Sequence, residues 1–158
     1  MDDKKAILAL LTPQAVLKPM TPQAEQAIPD GFNVAGYVVI RQFPFRVGRE
    51  SRGEVVDGLF IRKERPRSAQ APNNDLYLKD PGPAMHVSRQ HLRIERTADG
   101  YQVVDVGSSC GVGVGGARAG TGVARMSLEL KDGDIIAIGT LETQLRYKFI
   151  GNLAPGGG

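Results

Sequence analysis

The chain has 158 residues, with 20 glycines, 10 prolines, one cysteine and no tryptophan, and is 41% apolar and 23% charged. That length suits one domain plus tails, with a core that needs no disulfide or metal staple; glycine at about 13% lacks the Gly-X-Y period of collagen and argues against a helical bundle, where each interior glycine costs about 1 kcal/mol. Twenty basic against 17 acidic residues leave a net charge of +3, short of the dense basic stripe of a dedicated nucleic-acid binder, and no run reaches the 18 apolar residues of a membrane span.

Residues 1–34 read as an arm that is flexible or partly helical. Ile7, Leu8, Leu10 and Leu11 share one short helical face, and Thr12-Pro13, Lys18-Pro19, Thr21-Pro22 and Pro29-Asp30-Gly31 punctuate the stretch that follows. Leu11-Thr12-Pro13-Gln14-Ala15 is nearly repeated by Met20-Thr21-Pro22-Gln23-Ala24, so each threonine reads as a helix cap with proline at the first helical position. The apolar run before Thr12 is too short for a secretion signal and follows two acids. Together with the lone Cys110, which fits a reducing compartment, this reads as a soluble, cytoplasmic protein.

From Tyr37 onward the period falls to two. Strands are expected at 37–40, 43–47, 59–62, 76–78, 92–95, 102–106, 126–130, 135–138 and 145–150, with Asp99-Gly100 and Asp132-Gly133 as hairpin turns. Many short strands with glycine-rich turns indicate an all-β sandwich or barrel over residues 35–150, whose chemistry sits on loops gathered at one end. Residues 53–74 break the rhythm with a polar, basic, proline-containing run and read as an exposed insertion. Residues 151–158 read as a flexible tail.

Enzymatic readings are weak. Cys110 with His86 or His91 lacks a positioned third group, and these three side chains lack the paired spacing of a zinc site. The run Gly111-Val-Gly113-Val-Gly115-Gly116 is followed by a strand pattern, whereas a dinucleotide loop needs a helix. No catalytic residue, metal or cofactor is assigned. Instead, Arg49, Ser88, Arg89 and Ser109 fall at strand ends or loops and offer guanidinium and hydroxyl donors. Thirteen arginines against seven lysines favour forked oxyanion recognition. A phosphomonoester, with about −1.5 to −2 charges and three acceptor oxygens, suits such donors. With no activated nucleophile beside them, they would bind phosphate without cleaving it.

Gly48-Arg49, Ser88-Arg89-Gln90-His91, residues 105–116 and Leu130-Lys-Asp-Gly133-Asp134-Ile135-Ile136-Ala-Ile138-Gly139 occur in the order of the forkhead-associated (FHA) domain family, and the sequence resembles that family from about residue 37 to 149. The resemblance implies an eleven-stranded, antiparallel-rich β-sandwich that recognises phosphothreonine peptides through loops at one end. It implies that Arg49 pairs with the phosphate, that Ser88 donates its hydroxyl to it, that Arg89 adds a phosphate or peptide contact, and that Ser109 lies beside the threonine methyl. Gly48, His91 and Gly111 would support the loops. Cys110 and Gly115 stand where the family places asparagines, and a thiol cannot make the two-sided contact of an amide with the ligand backbone. Losing those bonds costs about 1–2 kcal/mol, or roughly five- to thirty-fold in affinity.

The expected function is therefore a non-enzymatic, phosphothreonine-dependent interaction module in a signalling assembly. Its partner is a phosphothreonine protein or peptide, with a Ser/Thr kinase upstream and Thr12 or Thr21 as a cis ligand. The alternatives are a phosphate-independent scaffold on the same fold and, more weakly, a nucleic-acid-binding domain using residues 41–67.

Overall fold

The structure, a computed structural model, describes residues 2–49, 53–57, 59–62, 74–80, 87–120 and 126–153. Its helices are α1 (Asp3–Leu11) and α2 (Pro22–Ala27), followed by a 3-10 turn at Asp30–Phe32. Its strands are β1 (Ala15–Pro19), β2 (Val38–Ile40), β3 (Phe45–Arg49), β4 (Gly53–Val56), β5 (Leu59–Arg62), β6 (Leu76–Leu78), β7 (Leu92–Arg96), β8 (Tyr101–Asp105), β9 (Val112–Val114), β10 (Ala117–Ala119), β11 (Ser127–Leu130), β12 (Ile135–Ile138) and β13 (Arg146–Ile150).

Eleven of these strands form two sheets, one of six in the order β10-β9-β12-β13-β1-β2 and one of five in the order β11-β8-β7-β3-β6. β4 and β5 make a separate hairpin within the expected insertion. Every strand pair is antiparallel except β3–β6. Alternation builds the sandwich: Leu17, Ile40, Ile136, Ile138, Tyr147 and Phe149 from one sheet and Val47, Leu76, Leu92, Ile94, Val103 and Leu130 from the other are all at most 2% exposed. The all-β sandwich read from the sequence is the fold observed. Among the described residues no helix is long and apolar enough to cross a membrane.

The arm expected over residues 1–34 is largely built into the fold. β1 lies between β13 and β2 and buries Ala15 and Leu17 completely or nearly so. Its two core positions are split by Val16 and closed by Lys18-Pro19, so the run is too short to be recognised as a strand without its neighbours. Only α1 projects, with Ile7, Leu8 and Leu11 all more than half exposed. The two threonine pentads also part company. Thr21 caps α2 with Pro22 at its start, accepting the Ala24 N–H at 2.9 Å and donating to the Gln144 carbonyl. Thr12 ends α1 instead, its hydroxyl donating to Leu8 O at 2.7 Å.

Asp99-Gly100 turns β7 into β8 as expected. Asp132-Gly133 does not make a hairpin: it links β11 and β12, which belong to different sheets. The unexpected hairpin is β9–β10, where Val114 pairs with Ala117 across Gly115 (φ +55°) and Gly116 (φ +89°). Two consecutive positive φ values are those of a type I′ turn, which two glycines adopt without strain. Of the tail, Gly151 to Leu153 are tied down: the Gly151 N–H donates to Asp132, the Asn152 N–H to the Tyr101 hydroxyl and the Leu153 N–H to Gln14 O. Residues 63–73 of the insertion, His86 and residues 154–158 lie outside the described residues.

Candidate functional site

Three chain segments meet at one end of the sandwich: the end of β3, the segment before β7, and the β8–β9 loop. The Arg49 N–H donates to Ser88 O at 3.0 Å, placing the arginine side by side with the serine. The Ser109 N–H in turn donates to Ser88 Oγ at 3.0 Å. A serine hydroxyl carries one donor and two acceptor sites, so this bond leaves the Ser88 proton able to donate outward. Ser88 and Arg49 are half-buried, Arg89 and Ser109 exposed, and Cys110 intermediate. Arg49, Ser88, Ser109 and Cys110 are thus brought together by backbone links, with Arg89 next to Ser88 in the chain.

His91 locks the two larger loops to one another. It is fully buried; its Nδ1 accepts the Ser88 N–H at 3.0 Å and its Nε2 donates to Gly111 O at 2.7 Å. These bonds select the neutral, Nε2-protonated tautomer. Burial pushes the imidazole pKa below its ordinary value, against the opposing pull of Gly111 O and of the Asp105 and Asp80 carboxylates. The Gly111 carbonyl also accepts the Gly139 N–H at 2.9 Å, so both of its acceptor sites are used. Gly48 permits the close approach on the other side. A Cβ there would lie 2.0 Å from Arg89 O and 2.4 Å from Asn74 Nδ2, so a larger residue would expel the Ser88-Arg89 segment.

Three supports escaped the sequence reading. Asn74, buried at 4% exposure, donates from Nδ2 to Arg89 O at 2.7 Å; its place in a polar run concealed it. Asp105 accepts the Gly107 and Ser108 N–H groups at 2.8 Å and the Ser108 hydroxyl, while the Gly111 N–H donates to Ser108 Oγ at 2.9 Å. The Asp-Val-Gly-Ser pattern was a readable signal for this turn. Arg118 donates from Nη2 to Cys110 O at 3.0 Å and to Gly139 O at 2.6 Å. It reaches them from β10 by lying across Gly113, its cross-strand partner, and its signal was hidden with the unread β9–β10 hairpin.

The arrangement offers donors on a braced rim. Among the described residues no three His, Cys, Asp or Glu side chains group as metal ligands. A cleft of about 660 Å³ lined by Thr97, Tyr101, Glu129 and Asp132 lies at the other end of the β7–β8 hairpin, away from these loops.

A model of the FHA domain family matches residues 45–139, which span every segment just described. The chain belongs to the FHA family. The FHA domain's solved counterparts agree in fold. Mycobacterium tuberculosis EmbR, in complex with a low-affinity phosphopeptide, is 21% identical with a TM-score of 0.51, over 92% of this chain and 26% of that one. This chain therefore spans about a quarter of the EmbR chain. The FHA domain of Chlamydia trachomatis CT664 is 18% identical with a TM-score of 0.50, over 86% of this chain and 95% of that one. The FHA domain of an Arabidopsis thaliana hypothetical protein is 22% identical with a TM-score of 0.50, over 93% and 91%. A search of curated protein sequences returns no significant match.

Proposed function

We propose that this FHA domain is a phosphothreonine-dependent protein-interaction module of a cytoplasmic signalling assembly. The observation that carries the reading is the joint at Ser88. Its carbonyl takes the Arg49 amide and its Oγ takes the Ser109 amide, so one residue aligns a guanidinium-bearing strand end with the recognition loop. Arg49 supplies charge to the phosphate, Ser88 donates its hydroxyl, Arg89 adds a rim contact, and Ser109 and Cys110 face the residue that bears the phosphate. The EmbR complex supports a phosphopeptide as the ligand class. A Ser/Thr kinase is the implied writer of the mark.

As a cis ligand, Thr12 is favoured over Thr21. Both hydroxyls are engaged, but Thr12 makes one bond, to Leu8 O within the projecting helix, whereas Thr21 bonds both Gln144 O and the Ala24 amide and so ties α2 to the sandwich. A phosphate-independent scaffold is the second reading, favoured by Cys110 at the position of the family's ligand-binding asparagine.

The test is titration of a degenerate phosphothreonine peptide pool beside its unphosphorylated counterpart, repeated with Arg49→Ala and Ser88→Ala. Charge-assisted hydrogen bonds are worth about 1.5–3 kcal/mol each, so each variant is expected to weaken binding about ten- to hundred-fold. Equal binding of both pools would favour the scaffold.

A further inference from the structure

The outer face of the six-stranded sheet has an unusual charge pattern. Ala15, Leu17, Val38, Ile40, Ile136, Ile138, Tyr147 and Phe149 point into the core. The two-residue period of a strand therefore turns Lys18, Ile135, Ala137, Arg146 and Lys148 outward. Register aligns them. Lys18 stands opposite Lys148, and Lys148 opposite Ile135. Arg146 stands opposite Ala137, Ala137 opposite Gly113, and Gly113 opposite Arg118.

None of the six strands contains an aspartate or glutamate. Among the described residues none of these four cations makes an ion pair, whereas on the five-stranded sheet Arg46 pairs with Asp75 and Arg93 with Glu95. Arg146 and Arg118 are held by backbone carbonyls, with no carboxylate among the partners of these bonds. Like charges directly opposite one another destabilise a sheet. Lys18 opposite Lys148 therefore works against folding, and a carboxylate seated between them reverses the sign of that interaction.

Arg118 and Arg146 lie next to the end of the face that carries the candidate site, and Lys18 and Lys148 lie two residues farther along the strands. β9 begins directly after Gly111, β12 ends beside Gly139, and Arg146 opens β13 at that same end. With strands about 4.8 Å apart and about 3.3 Å per residue along them, the cations lie about 10–20 Å from Cys110. An extended peptide covers that distance in about three to six residues.

We propose that this face docks an acidic stretch of the phosphorylated partner, a few residues from its phosphothreonine; the proposal deepens the phosphopeptide function above and rests on it. The anchor at Arg49 and Ser88 reads the phosphate, and Lys18, Arg146 and Lys148 read carboxylates on the same ligand.

The experiment measures fluorescence anisotropy of the full chain with four peptides at 50 and 500 mM NaCl. One carries a phosphothreonine with alanine flanks, two add four glutamates four to seven residues before or after it, and one is the glutamate peptide without phosphate. At 50 mM salt one of the extended phosphopeptides binds at least five-fold tighter than the alanine version, and the gain disappears at 500 mM, where screening is strong. Lys18→Glu/Lys148→Glu removes the gain and leaves the alanine phosphopeptide unchanged. Lys18→Gln/Lys148→Gln gives an intermediate loss, and circular dichroism confirms that both variants fold.

The unphosphorylated glutamate peptide separates this proposal from the function it rests on. Salt-sensitive binding to the wild type that charge reversal abolishes supports the acidic docking face even if phosphate is not read. The proposal is overturned if neither extension tightens binding, if the gain survives charge reversal, or if phosphatidylserine vesicles bind in preference to every acidic peptide.

Discussion

Ser88 does its work through atoms that most residues possess as well as through the one they lack. Its carbonyl and N–H tie Arg49 and His91 into place, and only the hydroxyl is left to meet a ligand while accepting the Ser109 amide. Ser88→Ala should therefore weaken the ligand and also loosen Ser109, and Arg49→Ala should weaken the ligand by removing the guanidinium. Cys110 is where the molecule gives ground. Its carbonyl is fixed by Arg118, so the backbone of the position is prepared and the side chain is what falls short. Cys110→Asn is expected to tighten phosphopeptide binding about five- to thirty-fold, measured by isothermal titration calorimetry; unchanged affinity would place the ligand backbone elsewhere.

His91 carries a prediction in pH. Its pKa in the folded protein lies below the ordinary value because burial disfavours the imidazolium, so on acidification the unfolded chain takes up the proton first. The stabilisation from neutral His91 is fully present above about pH 6.5. It is lost as pH falls from there through the folded value. Nitrogen shifts of the imidazole should show the Nε2–H tautomer persisting below pH 6.5. An imidazolium already formed at that pH would contradict the account.

At the scale of elements, the β9–β10 hairpin is a brace for the recognition loop. Arg118 can cross to Cys110 and Gly139 because Gly113 opposite it has no side chain: a Cβ there would sit 3.1 Å from Arg118 Nη1. Arg118→Ala removes a charged donor from two carbonyls and should cost about 1.5–3 kcal/mol, read as a lowered urea midpoint. Faster amide exchange at Gly111 and Gly139 should accompany it. Uniform exchange change across both sheets would make Arg118 an ordinary surface residue.

This is also the scale at which the sequence was hardest to read. Long alternating runs such as β7, β8 and β13 announce themselves because their period survives over five residues. β1, β9 and β10 do not, because runs of three to five residues, closed by a proline in β1, interrupted by a glycine in β9 and only three residues long in β10, hold no period of their own. The site divides in the same way. Gly48, Arg49, Ser88 and His91 sit in fixed local patterns. Asn74 and Arg118 act across chain separations that only the fold closes, as does the sharing of Gly111 O between His91 and Gly139.

For the whole molecule, the N-terminal segment is two things joined at Thr12. α1 is exposed on its apolar residues, while β1 is a central strand of the larger sheet and α2 is docked by the buried Tyr147 hydroxyl, which donates to Ala24 O at 2.8 Å. Deleting residues 1–11 should leave the melting temperature within about 2 °C of the full chain, the range of a surface change. Deleting residues 1–20 strips the core of Ala15 and Leu17 and bares the edges of β2 and β13. Burying one leucine is worth about 1.5–3 kcal/mol, and the lost sheet hydrogen bonds add to it, so that chain should be largely unfolded or aggregated by scanning calorimetry. Comparable stability of the two truncations would show β1 to be dispensable.

In the proposed function, one end of the sandwich reads phosphothreonine through the loops joined at Ser88 and His91. The most direct measurement is a heteronuclear NMR titration of the labelled chain with the phosphothreonine peptide pool. The account predicts shift changes concentrated at the amides of Arg49, Ser88, Arg89, Ser109, Cys110 and Gly111, absent with the unphosphorylated pool. Changes centred instead on Thr97, Gly100 and Asp132 at the opposite end, or the same changes with both pools, would contradict it.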